Sequence, residues 1–134
     1  MFGKKDPVGI KSLIAQGTRI RGDMKFEEGL RVDGDVYGSI HAEHVDGSLL
    51  VISEGALVEG SLKADHVIIN GTVKGPVEAR DLQLESKAKI EGEVQYLTLE
   101  IQSGASVLGR LRPMESAAAS SDDDKSVVRL AAKN

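Results

Sequence analysis

The chain has 134 residues, with 17 Lys and Arg against 21 Asp and Glu, no cysteine and no tryptophan. One domain is the natural prior for that length, and the lack of cysteine excludes disulfides, thiolate metal sites and cysteine nucleophiles. The net charge of −4 speaks against a nucleic-acid binder, which carries a basic face or stripe; no apolar run approaches the ~20 residues that span a bilayer, and no secretory h-region is present, so a cytoplasmic protein is expected.

Residues 1–13 read as a flexible leader, with Met1 and Phe2 followed by Lys4, Lys5 and Lys11. A repeat then begins. "LIAQGTRIRGDM" (from Leu13) is echoed by "VISEGALVEGSL" (from Val51), "QLESKAKIEGEV" (from Gln83) and "EIQSGASVLGRL" (from Glu100). The most regular unit is apolar-x-Gly-x-apolar around Gly22, Gly38, Gly60, Gly75, Gly92 and Gly109, at steps of 16, 22, 15, 17 and 17. The long step is regularised if Asp46 to Leu50 ("DGSLL") form an inserted loop.

Stacking the copies gives columns of constant character. One holds Met24, Ile40, Leu62, Val77, Val94 and Leu111; a second Leu30, Val45, Val67, Leu82 and Leu99; a third Ile14, Val32, Ile52, Ile69, Leu84 and Ile101. A fourth holds Ile20, Val36, Val58, Val73, Ile90 and Val107, a fifth small residues from Thr18 to Ala105, and a sixth Phe26, Ala42, Ala64, Ala79 and Tyr96. Apolar residues alternate at period two within each copy, which is the strand signal. Three strands of roughly four to six residues, separated by Gly or small residues at corners, fit one step of about 17 residues. One such rung cannot bury its apolar face alone; stacked rungs make a continuous core. Equal rung widths explain why Phe2, Phe26, Tyr37 and Tyr96 are all the aromatics present. The expected fold is all-β: a single parallel β-helix (β-solenoid) of about six rungs over Thr18 to Arg112, three short strands per rung, with disordered termini. The uneven steps do not fit the six-residue phasing of left-handed hexapeptide coils, and crossovers between parallel strands are normally right-handed, so a right-handed coil is expected. An irregular β-sandwich is the blander alternative, but it gives columns no reason to persist.

After Arg112 and Pro113 comes "MESAAASSDDDKSVVRLAAKN", a Ser/Ala/Asp-rich stretch that reads as a disordered tail over 113–134. Neither end carries an evident cap. Open strand edges pair with other chains unless blocked, so end-to-end joining is expected, through Ile14, Ile20, Met24 and Phe26 at one end and Val107, Leu108 and Leu111 at the other. The domain plan is a leader at 1–13, a polymerisation domain at 14–112 and a tail at 113–134.

No catalytic constellation is found: no serine has a histidine at a spacing that argues for a triad, and acids alternate with bases over the outer faces. His44 and His66 ("HAEHV", "KADHV") look like neighbours in one column with Asp81 next in line and Glu43 and Asp65 alongside, the two histidines being the candidates for a surface metal site. A solvated polar ladder is the favoured reading there, so no catalytic, cofactor or metal site is expected.

"IAQGTRIRGDM", "RVDGDVYGSI", "VISEGALVEGSLKADHVIINGTVKG" and "AKIEGEV", over about residues 10–113, resemble the bactofilins, bacterial polymer-forming cytoskeletal proteins. The resemblance implies a right-handed β-helix that assembles without nucleotide or other cofactor into filaments, which act as scaffolds for cell-wall enzymes, such as peptidoglycan hydrolases, or for cell shape. "MFGKK" resembles the family's short membrane-targeting segment, which implies that Met1, Phe2, Lys4 and Lys5 bind lipid at the cytoplasmic face of the inner membrane. Two other readings compete: a monomeric β-helix module that binds partners on a flat face, and a β-helix enzyme such as an acyltransferase or polysaccharide lyase.

Overall fold

The computed structural model describes residues 10–114, which contain strands and turns and no helix. Its 14 strands are β1 (Ser12–Ile14), β2 (Arg19–Arg21), β3 (Met24–Phe26), β4 (Gly29–Val32), β5 (Asp35–Tyr37), β6 (Ile40–Ala42), β7 (Leu49–Ile52), β8 (Leu57–Glu59), β9 (Leu62–Ile69), β10 (Thr72–Lys74), β11 (Val77–Leu84), β12 (Lys89–Tyr96), β13 (Thr98–Ile101) and β14 (Ser106–Pro113). Every pairing between them is parallel and joins one rung to the next.

The result is a three-faced β-solenoid of six rungs. Face A stacks β1, β4, β7, the C-terminal halves of β9 and β11, and β13. Face B stacks β2, β5, β8, β10 and the N-terminal halves of β12 and β14. Face C stacks β3, β6, the N-terminal halves of β9 and β11, and the C-terminal halves of β12 and β14. The coil starts at Ser12, earlier than the expected Thr18, because β1 pairs with β4. Strands run from three to eight residues, wider than the expected four to six. Eight-residue strands arise where a one-residue corner lets two faces share an unbroken extended chain: Asp65 turns β9 and Arg80 turns β11.

The apolar columns are the core. Met24↔Ile40↔Leu62↔Val77↔Val94↔Leu111 is a continuous register line on face C. Ile20 to Val107 on face B and Ile14 to Ile101 on face A are equally unbroken. Val32, Val36, Leu50, Ile52, Val58, Ile69, Val73 and Leu84 are fully buried. The alternation expected from the sequence thus places one side chain in two inside, in layers that repeat at the ~4.8 Å strand spacing.

One column differs from expectation. Val45 does not lie between Leu30 and Val67; Leu50 does, paired with both. Asp65 alone separates Ala64 from His66, whereas six residues separate Ala42 from Leu49, the partner of His66. The insertion is therefore residues 43–47, not Asp46 to Leu50. Strand geometry explains the shift: Leu50 and Ile52 are two apart, as Val67 and Ile69 are, and so face the same side, whereas Val45 lies seven from Ile52.

The corner between faces B and C is built from the repeated glycine. Gly38 (φ 154°) and Gly60 (φ 157°) adopt backbone angles that L side chains rarely take, and a Cβ at either would overlap the carbonyl of the glycine one rung below. The glycine column is thus required twice, by conformation and by backbone lying directly on backbone.

Candidate polymer interface

In a coil of stacked layers the end rungs differ from the middle ones in having a neighbour on one side only among the described residues. In the face-B column, Val36, Val58 and Val73 are fully buried, while the end members Ile20 and Val107 are only partly covered. Face A repeats this at its last rung, where Leu99 and Ile101 are partly buried although Leu82 and Leu84 beneath them are enclosed. β1, β2 and β3 at one end, and β13 and β14 at the other, each have strand partners on one side only among the described residues. Their outward backbone donors and acceptors form open parallel edges.

The expected interface residues occupy these two ends in different ways. At the N-terminal end, Ile20 and Met24 present partly buried side chains, while Ile14 and Phe26 are buried within the first layer. Leu13, not singled out in the sequence, is 57% exposed beside Ile14. At the C-terminal end Val107 points inward and is partly covered, whereas Leu111 is buried. Leu108 is 65% exposed and follows Val107 by one residue, so it lies on the outer side of face B next to the rim. Leu97, also exposed, sits at the corner between β12 and β13 and was legible only as a small departure from the polar character of its column, Ser48, Asp65 and Arg80. The rims therefore combine partly covered core residues with exposed leucines. Met1, Phe2, Lys4 and Lys5 lie outside the described residues, as does the tail beyond residue 114.

The outer faces carry polar ladders. Arg112 Nη1 lies 2.7 Å from Glu93 Oε2, and Arg80 Nη1 lies 2.8 Å from Asp46 Oδ1. Both pairs are largely solvated, and such pairs contribute little to stability. A hydrogen bond from the Ser53 hydroxyl, then one from the Arg31 guanidinium at 2.9 Å, hold the Asp33 carboxyl below the usual carboxylate range.

The histidines are arranged otherwise than expected. His44 does not stand beside His66; it is exposed in the 43–47 excursion, and Leu49 occupies the position below His66. Asp81 does follow His66 in register, with Nδ1 to Oδ2 at 3.1 Å. On face C, His41 Nε2 is 2.8 Å from Ser61 Oγ, which donates to Ser39 Oγ at 2.9 Å. Twenty residues separate the members of this pair in sequence, and the β6–β9 register brings them together diagonally. No ion pair joins His41 to a carboxylate among the described residues, so the contact has the form of a hydroxyl ladder closed by an imidazole.

Among the described residues, no helix is long and apolar enough to cross a membrane. Comparison with curated protein sequences gives no match. Among solved structures, the chain is similar to the cytoskeletal bactofilin BacA, whose atomic structure was revealed by solid-state NMR; identity is 26%, TM-score 0.68, and the match covers 78% of this chain and 96% of that one. Residues 12–112 match the family model described as "Bactofilin: Polymer-forming cytoskeletal". That span runs from the first strand of the coil to the penultimate residue of the last, so the match takes in all six rungs and both open rims: the chain belongs to the bactofilin family.

Proposed function

We propose that this protein is a cytoskeletal scaffold whose subunits join end to end through the rims of a right-handed coil. The filaments form without nucleotide, lie at the cytoplasmic face of the inner membrane, and position cell-wall or cell-shape factors. The observation that carries this reading is the partial exposure of Ile20, Met24, Leu99, Ile101 and Val107 in columns otherwise enclosed, beside open strand edges. A second subunit placed on either rim continues the apolar layers and supplies the missing backbone partners, so hydrophobic burial and hydrogen bonding favour the same contact. The family's polymer-forming description agrees with it.

The membrane part rests on the leader. Met1 and Phe2 can enter the headgroup boundary, while Lys4 and Lys5 each contribute about 1 kcal/mol near an anionic surface. One leader holds a monomer weakly; a filament presents many, and their combined effect far exceeds that of one. The role is structural rather than catalytic, and wall-modifying enzymes are bound partners along the flat faces.

Sedimentation of purified protein without nucleotide, followed by electron microscopy, tests assembly. Pelleted filaments support the proposal; a monomer at high concentration refutes it and favours a monomeric binding module. Flotation with anionic vesicles tests the leader separately: replacement of Phe2, Lys4 and Lys5 should release assembled filaments from lipid, and undiminished binding would refute the leader's role.

A further inference from the structure

Face A differs from face C on its outer side. Leu50 and Ile52 point into the core, so the alternation turns Leu49 and Val51 outward on β7, where both are partly exposed. Ile68, also partly exposed, is the Cα partner of Val51 in the next rung, so the three side chains adjoin. The corresponding outward line on face C is polar: His41, Lys63 and Glu78. Leu49 and Ile68 line an open groove of about 460 Å³ whose far side carries Asp81, Thr98 and Glu100. We propose that this groove is the docking site of the chain's own C-terminal segment, residues 126–133, so that each subunit covers part of its face A.

The place where the chain leaves the coil favours this occupant. Met114 N donates to Tyr96 O, as Leu97 N donates to Arg80 O one layer below. Met114 therefore stands over Leu97 at the corner between faces C and A, and the tail starts beside face A. The layer of Ile68 lies three strand spacings lower, through Gln83 and Glu100, or about 14 Å. Residues 115–125 span up to roughly 36 Å when extended, so the segment reaches the groove with slack. Tethering keeps its effective concentration there high.

The segment also matches the groove in chemistry. Val127, Val128 and Leu130 are its large apolar residues, and after Asp124 every charged side chain is basic: Lys125, Arg129 and Lys133. On a helical period Val127, Leu130 and Ala131 share one side and the three basic residues another. Eight residues so wound measure about 12 Å, against about 14 Å for the four layers from Leu49 to Thr98. Apolar contact with Leu49, Val51 and Ile68 would bring the basic side chains to Asp81 and Glu100. Asp81 pairs with His66 at 3.1 Å but is about half exposed, so its carboxylate can meet a second cation from the solvent side. The contact lies away from the rims and does not compete with end-to-end joining; it covers a surface that a flat-face partner would have to uncover.

Zero-length carbodiimide coupling of the full chain, prepared from mixed isotopically light and heavy subunits and read by peptide mass spectrometry, tests the proposal. Amide links from Lys125 or Lys133 to Asp81 or Glu100 are expected within one isotope population. They should disappear in Leu130→Asp, a position outside every described strand. Links spread equally to Glu78 on face C and Glu91 on face B, or persistence in Leu130→Asp, would overturn it. Links found only between isotope populations would overturn it in favour of a neighbouring subunit's tail. No links at all would also overturn it, and anionic vesicles that then bind the parent better than Leu130→Asp would make lipid the segment's partner.

Discussion

Val58 and Val107 belong to one column, on the same face and with the same inward orientation, yet the first is fully buried and the second only partly covered. Residue type and local conformation are alike; position along the axis differs. In an ordinary globular domain, partial exposure of an apolar side chain is common and carries no message. In a coil of identical layers it marks where the next layer is missing. The middle rungs hold the subunit together, and the end rungs are available to hold subunits to one another. Substitutions in the two regions should therefore separate stability from assembly.

The largest effect is expected at the glycine corner of the middle rungs. Gly60→Ala places a Cβ against the Gly38 carbonyl at φ 157°, and should destabilise by on the order of 3–5 kcal/mol, in the range reserved for severe backbone and packing damage. Urea denaturation, in a background where assembly is blocked, measures it. In the same background, Ile52→Ala should cost about 2–5 kcal/mol as a buried truncation, while Ile101→Ala on the last rung should cost roughly 1 kcal/mol, because part of its area already faces water. Equal costs at the two sites would erase the distinction between middle and end.

A smaller effect is expected from deleting residues 43–47, which joins Ala42 to Ser48 and gives rung 2 the one-residue corner already present at Asp65. The β spectrum and sedimentation of the polymer should persist, with the melting temperature changed by a few degrees; loss of assembly would assign the excursion to the joint. The smallest effect is at Asp33. Its folded carboxyl lies below the unfolded value of about 4, so its contribution is present above that value and disappears as pH falls through the folded one. Denaturation midpoints of the parent and Asp33→Asn should accordingly differ slightly at neutral pH and converge in strong acid; a difference that grew on acidification would contradict the assignment.

Most of the fold was legible because every rung faces the same constraint. A column that must match its neighbours in width and polarity repeats itself in writing, and five of the six predicted columns are register lines or their direct extensions. The column from Leu30 to Leu99 failed at one residue. "AEHV" and "ADHV" look alike, which drew Val45 into line with Val67, but local similarity does not set register; the paired alternation of Leu50 and Ile52 does. The same slip placed His44 beside His66; Asp65, expected in a solvated ladder, is instead buried, with its carboxylate accepting from Gly47 N of the excursion. The exposed leucines at the rims were only half legible. Leu108 follows an inward residue by one, so its outward direction could be read, but that nothing polar would screen it depends on its being in the last rung.

The two rims are the proposed joints between subunits. Cryo-electron microscopy of purified polymer, beside Val107→Arg, tests this most directly. Filaments with a rise of about 29 Å per subunit, six layers at the ~4.8 Å strand spacing, and strand pairing continuous across each junction are predicted, together with a folded, non-sedimenting Val107→Arg variant. Subunits joined through their flat faces with both rims bare, or unaltered filaments from Val107→Arg, would contradict it.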